Sequence, residues 1–427
     1  MSLRASSAIE KNPNSLVPNI LVIGTGDTKS AELQFMADII RTAGGVPVMV
    51  DVSVLADPPY QPDYSRHDIA AAAGVSIQDI IDSGDEHSAM ALMSEGAVAL
   101  TRNLCAAGKV DGMIVLGGSM GTDLALDVAL AMPLGLPKFV VSTIAYSHLL
   151  PPERIAPDLM MILWAGGLYG LNGICRAVLS QACGAVVGAA RASVKPAADK
   201  PLIGITSLGS SCLKYMKHLR PELEKRGYDV AIFHSTGMGG RAFEAIAAQN
   251  GFSAVFDFCV QEVVNHQNGT VVTSGADRLE NAGRCGIPQL VAPGAMDMVD
   301  LPAWQPVPAA LADRPYHAHN RLLGSVTTSH IGRRETAALI GEKLSRSTAP
   351  VAFLLPLHGV QAWDEVGEAL HDPEGLEAFT QAMRRAIPDS VTLHEVEAHI
   401  NSPTFSAHAL AVFDDWVAQG IIPEGKP

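Results

Sequence analysis

Residues 19–29 read NILVIGTGDTK, an apolar β-branched run closing on two spaced glycines, two threonines and a lysine. A run this short, rich in strand formers and stopped by glycine, predicts a buried strand at 19–23 and a turn at 24–29. Leu33, Met36, Ile39 and Ile40 then share one helical face, Gly44-Gly45 ends it, and 46–51 (VPVMVD) is the next apolar run. Strand, glycine turn, amphipathic helix, strand is the grammar of a parallel sheet with crossover helices.

The same unit recurs. Residues 111–116 lead into GGSMGT (117–122), a helix and a strand at 139–143. A break at 192–201 carries Lys195-Pro196 and Lys200-Pro201, the composition of a linker. The grammar restarts at 202–206, with a turn at 207–211, a helix to Arg226, a strand at 229–234, the turn STGMGG (235–240), a helix and a strand at 254–259. Later strands are expected at 289–292 and 351–355, and helices near 333–344, 374–387 and after Ser406. The proline-bearing stretch 302–321 is expected to be a long ordered loop over a site. The fold expected is therefore α/β, with two Rossmann-like doubly wound domains whose parallel sheets face a central cleft. Their limits are a flexible leader at 1–18, an N-terminal nucleotide-binding domain at 19–194, a linker at 195–201 and a C-terminal domain at 202–427.

Composition agrees with that class and removes others. A chain of 427 residues exceeds what one core supports, and 48% apolar against 17% charged residues leaves ample material for two. The net charge of −14, with no dense Lys/Arg run, opposes nucleic-acid binding. Cys105, Cys175, Cys183, Cys212, Cys259 and Cys285 include no CxxC pair and are expected as reduced thiols of a cytoplasmic protein. The first 17 residues lack the apolar core of a signal peptide, and the apolar stretch 159–171 is too short to span a bilayer, so no membrane role is expected.

Ligands of open parallel sheets bind beyond the carboxyl ends of the strands, where turn amides and helix N-termini favour anions. The turns at 24–29, 117–122 and 237–240 have that character. The first adds Thr25, Thr28 and Lys29, and Asp51 at the end of the next strand suits a ribose hydroxyl or a metal-bound water. The structural alternative is that Asp27 or Thr28 only caps the helix and Lys29 is solvated. No Gly-x4-Gly-Lys-Ser/Thr occurs, and Lys29 stands where a dinucleotide fingerprint has its third glycine. Residues 117–121 also fit G-x-S-x-G, which would make Ser119 a hydrolase nucleophile with His234 or His319 as base. The alternative is a phosphate loop in which Ser119 only donates a hydrogen bond.

Metal signals are thin. His399 lies one residue too far from His394-Glu395 for HExxH, and His317 and His319 flank Ala318 in the proline-bearing stretch. Glu262, Asp297 and Asp300 are the acids that would hold Mg²⁺ beside a nucleotide. Arg241, opening a helix, would clamp a carboxylate or phosphate, or else pair with Glu244 along that helix.

Taken in order, these segments resemble the Tm-1-like ATP-binding family, also known as UPF0261. The resemblance runs from Ile20 to about His408. It rests on GTGDTK (24–29), LGGSMGT (116–122), GLNGI (170–174), FHSTGMGGRAFE (233–244), ADRLENAGRCGIPQLVAPGAMDMVD (276–300), His319-Asn320 and HINSPTF (399–405). It implies two Rossmann-like domains, a homodimer, and ATP with Mg²⁺ held in the first domain. The implied contacts are Gly24, Thr25, Asp27, Thr28 and Lys29 with Gly117, Gly118, Ser119, Gly121 and Thr122. For some bacterial relatives it also implies a separate TIM-barrel partner. The second domain would offer His234, Thr236, Gly239, Gly240, Arg241 and Glu262 to a small acidic metabolite in the cleft. Candidate catalytic groups are Ser119, His234 and Glu262, and the remaining alternative is a ligand-binding or interaction protein without turnover. The chain departs from the family pattern at Gly167, where an acid is usual, at Cys259-Val260-Gln261, and at 207–212 and 321–324.

Overall fold

The computed structural model describes residues 17–426 apart from 165, 169, 195–198, 210 and 213. They form two compact units divided between 196 and 197. Residues 1–16 of the expected leader and 195–198 of the expected linker lie outside the described residues.

In unit 1, β1 (Asn19–Gly24), β2 (Val46–Asp51), β3 (Gly112–Gly117), β4 (Lys138–Ser142) and β5 (Leu159–Leu163) form one sheet in the order β2-β1-β3-β4-β5. Every pairing is parallel. Strands covered on both faces must be apolar on both, and β1 and β3 are buried at every residue. Helices Ser30–Thr42 and Gly173–Ala192 pack on one face over Ile20, Val22, Ile114 and Leu116. Arg66–Ala72, Glu86–Ala106 and Ser119–Ala131 cover the other, over Leu21, Ile23, Met113 and Val115. Because the order reverses at β1, the turns after β1 and β3 leave the sheet side by side.

Several elements here, among them the helices Arg66–Ala72 and Glu86–Ala106, were not expected from sequence. β5, LMMIL, has Ile162 as its one β-branched residue and so carries little strand signature. The helix Gly173–Ala192 begins where Asn172 Oδ1 accepts from the N–H groups of Ile174 (3.0 Å) and Cys175 (2.9 Å), so GLNGI is a helix cap. Among the described residues it is the one helix long and apolar enough to cross a membrane, but Leu179, Cys183, Val186 and Val187 face the core of unit 1.

In unit 2, β6 (Leu202–Ser207), β7 (Asp229–His234), β8 (Ala254–Cys259), β9 (Gln289–Gly294), β13 (Val351–Pro356) and β14 (Val391–Val396) make a parallel sheet ordered β14-β13-β9-β8-β6-β7. Between its fourth and fifth strands the chain adds β10 (Met298–Pro302), β11 (Tyr316–Ala318) and β12 (Leu323–Thr327), an antiparallel sheet ordered β10-β12-β11. The stretch expected as a loop at 302–321 therefore contains a strand. β11 is three residues long, too short for its alternation to stand out among the prolines. Both units are doubly wound α/β, as expected.

The interior of unit 2 is tied together by one cation. Arg278 is 1% exposed, and its guanidinium reaches Asp257 (2.6 Å), Glu262 (2.8 Å), Glu244 (3.3 Å) and the Cys259 carbonyl (2.9 Å). Glu262 and Glu244 sit on the helices Gln261–Gln267 and Met238–Ala248, so the guanidinium joins two helices to β8. Burial pushes the Glu244 carboxyl up to about 7 against the attraction of Arg278. Removing a buried cation strands its partners, so Arg278→Ala is expected to lower stability by about 3–5 kcal/mol in urea unfolding. Arg220→Ala, which breaks an exposed pair with Glu224, is expected to leave the midpoint unchanged.

Candidate functional site

At the point where the strand order of unit 1 reverses lies a cavity of about 320 Å³. The turn after β1 lines it with Gly24, Thr25, Asp27, Thr28 and Lys29, and the turn after β3 with Gly117, Gly118, Ser119, Met120 and Gly121. Val52, Val54, Leu55, Met90 and Leu124 make an apolar wall, and Glu86 adds a carboxylate.

The two turns contribute different groups. Gly118 is the N-cap of the helix Ser119–Ala131 and brings no side chain to its opening amides, which also lack intrahelical acceptors. Those amides, with the positive end of a 13-residue helix, form an anion-binding edge. The close chain reversal needs glycine at 117, where a Cβ would lie 2.5 Å from the Gly121 Cα.

The first turn keeps its amides to itself. Gly26 N–H donates to Asp51 Oδ1 (3.0 Å), Asp27 N–H to Ser53 Oγ (3.0 Å), and the N–H groups of Thr28 and Lys29 to the Thr25 carbonyl (3.3 and 2.9 Å). What it presents is side chains. The hydroxyls of Thr25 and Thr28 are 2.8 Å apart, and Lys29 Nζ donates to Thr28 Oγ1 at 3.2 Å. Neither Asp27 nor Thr28 caps the helix Ser30–Thr42, whose N-cap is Lys29 without a side-chain bond. Asp27 Oδ1 is buried and has no partner among the described residues.

Asp51 does not take the place expected of it. It is fully buried beneath the first turn and lies outside the cavity lining. Its Oδ1 accepts from Gly26 N–H and from the backbone (3.1 Å) and hydroxyl (2.5 Å) of Ser53, and burial raises its carboxyl above the usual range. It braces the turn and is not available to a ribose. Thr122 is likewise buried, bonded to the Gly118 carbonyl and Ser142 Oγ, both at 2.7 Å.

Ser119 is exposed and lines the cavity, yet the features of a nucleophile elbow are missing there. The non-glycine residues with positive φ among those described are Tyr146, Asn250, Leu279 and Ala295, so Ser119 does not carry the strained backbone of an elbow. No described lining residue of this cavity is a histidine, and His234 and His319 belong to unit 2.

In unit 2 the glycine turn 237–240 has another use. The N–H groups of Gly237 (2.7 Å) and Gly240 (3.0 Å) donate to Glu262 Oε1, and Glu262 is fully buried. A Cβ on Gly239 would meet the His234 carbonyl at 1.8 Å, and one on Gly240 would meet Glu262 Oε2 at 1.8 Å. Arg241 is 3% exposed and holds both oxygens of Asp277 (2.8 and 3.0 Å), so it neither clamps a ligand nor pairs with Glu244. Gly239, Gly240, Arg241 and Glu262 are thus packing groups, whereas His234 and Thr236 line a second cavity, of about 400 Å³. Among the described residues no three His, Cys, Asp or Glu side chains converge as a metal site. His317 stacks on Trp363 (3.8 Å between centroids), and His394, on β14, faces His408 at 3.3 Å. All six cysteines are free, with Cys105 and Cys285 half-buried and the others buried. Arg278, the hub of unit 2, was not singled out from sequence, since an arginine within DRLENAGR reads as an exposed helical residue.

Residues 18–195 match the model of the uncharacterised protein family UPF0261 N-terminal domain, and residues 200–417 that of its C-terminal domain. The chain belongs to the UPF0261 family. It is 70% identical over 409 residues to a UPF0261 protein of Brucella melitensis, covering 96% of this chain and 98% of that one. A UPF0261 protein of Clostridium tetani is 34% identical over 389 residues, covering 91% and 96%. The tomato (Solanum lycopersicum) ToMV resistance protein Tm-1 is 28% identical over 420 residues, covering 91% of this chain and 54% of that protein. A solved UDP-N-acetylglucosamine 2-epimerase aligns over 96% of this chain and 98% of its own at 12% identity, with a TM-score of 0.21, too slight a likeness to bear on function.

The glycine contacts give a direct check. Gly117→Ala is expected to cost ~1–3 kcal/mol of overpacking, roughly 2–4 °C in melting temperature per kcal/mol for a unit of this size. Gly118→Ala, whose Cβ would find its nearest neighbour, Thr143 Oγ1, at 3.8 Å, is expected to melt like the parent. Equal melting of the two variants in calorimetry would contradict the packing described.

Proposed function

We propose that unit 1 binds a nucleoside triphosphate, ATP being the expected one, with its phosphates across the two glycine turns. One observation carries this reading: both turns line a single cavity, where an uncapped helix N-terminus faces two threonine hydroxyls and a lysine. The apolar wall of Val52, Val54, Leu55, Met90 and Leu124 suits the flat face of a base. The chemistry is that of phosphate recognition: amides and a helix dipole on one side, a cation on the other.

Mg²⁺ fits the same edge. Asp27 Oδ1 is an orphaned buried oxygen at the lining, and Glu86 is a second carboxylate there. Mg²⁺ commonly uses one or two carboxylates and fills its shell with phosphate oxygens and water. Bound there, it would offset phosphate charge. Asp27 and Glu86 would hold it, Lys29 would meet phosphate oxygens, and Ser119 would donate a hydrogen bond. The anion clamp expected at Arg241 is engaged by Asp277, so no acidic metabolite is proposed for unit 2.

Calorimetric titration with ATP and Mg²⁺ is expected to show a micromolar Kd, about −8 kcal/mol, with AMP clearly weaker. Lys29→Ala is expected to reduce ATP affinity by ~10-fold or more, since a bond to a charged group contributes roughly 1.5–3 kcal/mol, with an unchanged melting temperature. Absence of heat with any nucleotide would overturn the proposal. Labelling by a fluorophosphonate probe that disappears in Ser119→Ala would replace it with hydrolase chemistry.

A further inference from the structure

The second cavity lies wholly within unit 2, at the carboxyl edge of its parallel sheet, where β6 and β7 end. Segments far apart in sequence converge on it: Ser211 after β6, His234 at the end of β7 and Thr236 beyond it, Asp300 on β10, and His319-Asn320 before β12. Its floor carries a buried carboxylate. Asp300 is 1% exposed, and its Oδ1 accepts from Gln261 Nε2 (2.7 Å) and Ser325 Oγ (2.5 Å). Its Oδ2 has no partner among the described residues. A buried carboxylate oxygen without a donor is costly, and one at the lining of a cavity can be answered by a ligand's hydroxyl.

The lining restricts what that group is. No described lining residue is Lys or Arg, so nothing there neutralises a phosphate or carboxylate, and Asp300 repels one. His234 Nδ1 accepts from Gly209 N–H (3.2 Å), which places the proton of the neutral ring on Nε2 as a donor. Burial, with His319 nearby, holds the His234 imidazole below its usual value and so keeps it neutral. Trp363 supplies an apolar wall and is steadied by His317. The lining thus disfavours an anion and offers an acceptor at Asp300 Oδ2 and a donor at His234, a pairing that hydroxyl groups satisfy.

The surroundings hold these groups in place. Asn265 Oδ1 accepts from Asp300 N–H (2.8 Å), and Asn401 Nδ2 donates to the Ser211 carbonyl (2.7 Å). His399 bonds the Gln361 carbonyl and Asp364 Oδ1, both at 3.0 Å, on either side of Trp363. The segment HINSPTF, which found no role in the nucleotide reading, thus supports the walls of this cavity. Preorganisation of this kind is characteristic of ligand sites.

We propose that this cavity is a binding site for a small neutral hydroxylated molecule, a sugar or polyol, with one hydroxyl donating to Asp300 Oδ2. The site stands independently of the nucleotide site in unit 1.

The test is saturation-transfer difference NMR and competition titration of the full chain with D-ribose, D-glucose, myo-inositol and xylitol, with citrate and inorganic phosphate as charged controls. At least one of the four neutral probes is expected to bind, with its affinity reduced about tenfold or more in Asp300→Asn and in His319→Ala. Lys29→Ala is expected to bind it as the parent does, which separates this site from the other. His319 is exposed, so its variant carries the test should Asp300→Asn fail to fold. Binding of none of the four, binding unchanged in both unit 2 variants, or preference for citrate or phosphate would each overturn the proposal.

Discussion

In a parallel sheet every strand ends on the same edge, and that constraint decides where this chain can do chemistry. Five strands in unit 1 and six in unit 2 deliver their following turns to one edge of each sheet. The reversal of strand order at β1 and again at β6 opens a gap between neighbouring turns on that edge. Both cavities lie at such an edge, although Lys29 and Glu86 line the first and His234, His319 and Trp363 the second. The scaffold fixes the position, and the turns decide the ligand.

The glycine turns illustrate how one sequence signature serves opposite ends. At 117–121 the opening amides of a helix face a cavity with no side-chain cap. At 237–240 the amides are closed by Glu262, a carboxylate of the chain itself, which Arg278 then neutralises. An internal anion occupies the place a phosphate would take. The turn at 24–29 is intermediate: Asp51 and Ser53 hold its backbone, and only its side chains point outward. Glycine spacing reports that a backbone comes close to something; it does not report whether that something is a ligand.

This is also the limit of what could be read from sequence. The strand at 254–259 and the two-domain α/β class followed from β-branched runs and glycine punctuation, because burial on both faces leaves a continuous apolar record. The strand at 229–234, at the edge of its sheet and without a buried residue, followed from its β-branched Val230 and Ile232. The two glycine turns that line the first cavity followed from the same punctuation, whereas Val52, Val54, Leu55, Glu86 and Met90 in its wall did not. What escaped were partners distant along the chain: Asp51 with Gly26, Arg241 with Asp277, Arg278 with Asp257. A charged side chain carries no mark of whether it will be solvated or paired with a residue 20 or 30 positions away. β5 and β11 escaped for a different reason, being weak in β-branched residues or too short to alternate.

The contact between Gly117 and Gly121 has a consequence for how the family's binding sites can diversify. A side chain at Gly117 collides with the Gly121 backbone, whereas one at Gly121 would only touch the Leu116 carbonyl at 3.4 Å, so the restriction falls on Gly117. Gly118, Ser119 and Met120 follow this fixed point and are free of that restriction, since a Cβ on Gly118 finds nothing nearer than 3.8 Å and the other two are exposed. Variation at this turn is thereby channelled into those three consecutive codons. A library confined to them would explore specificity without first having to repair the fold.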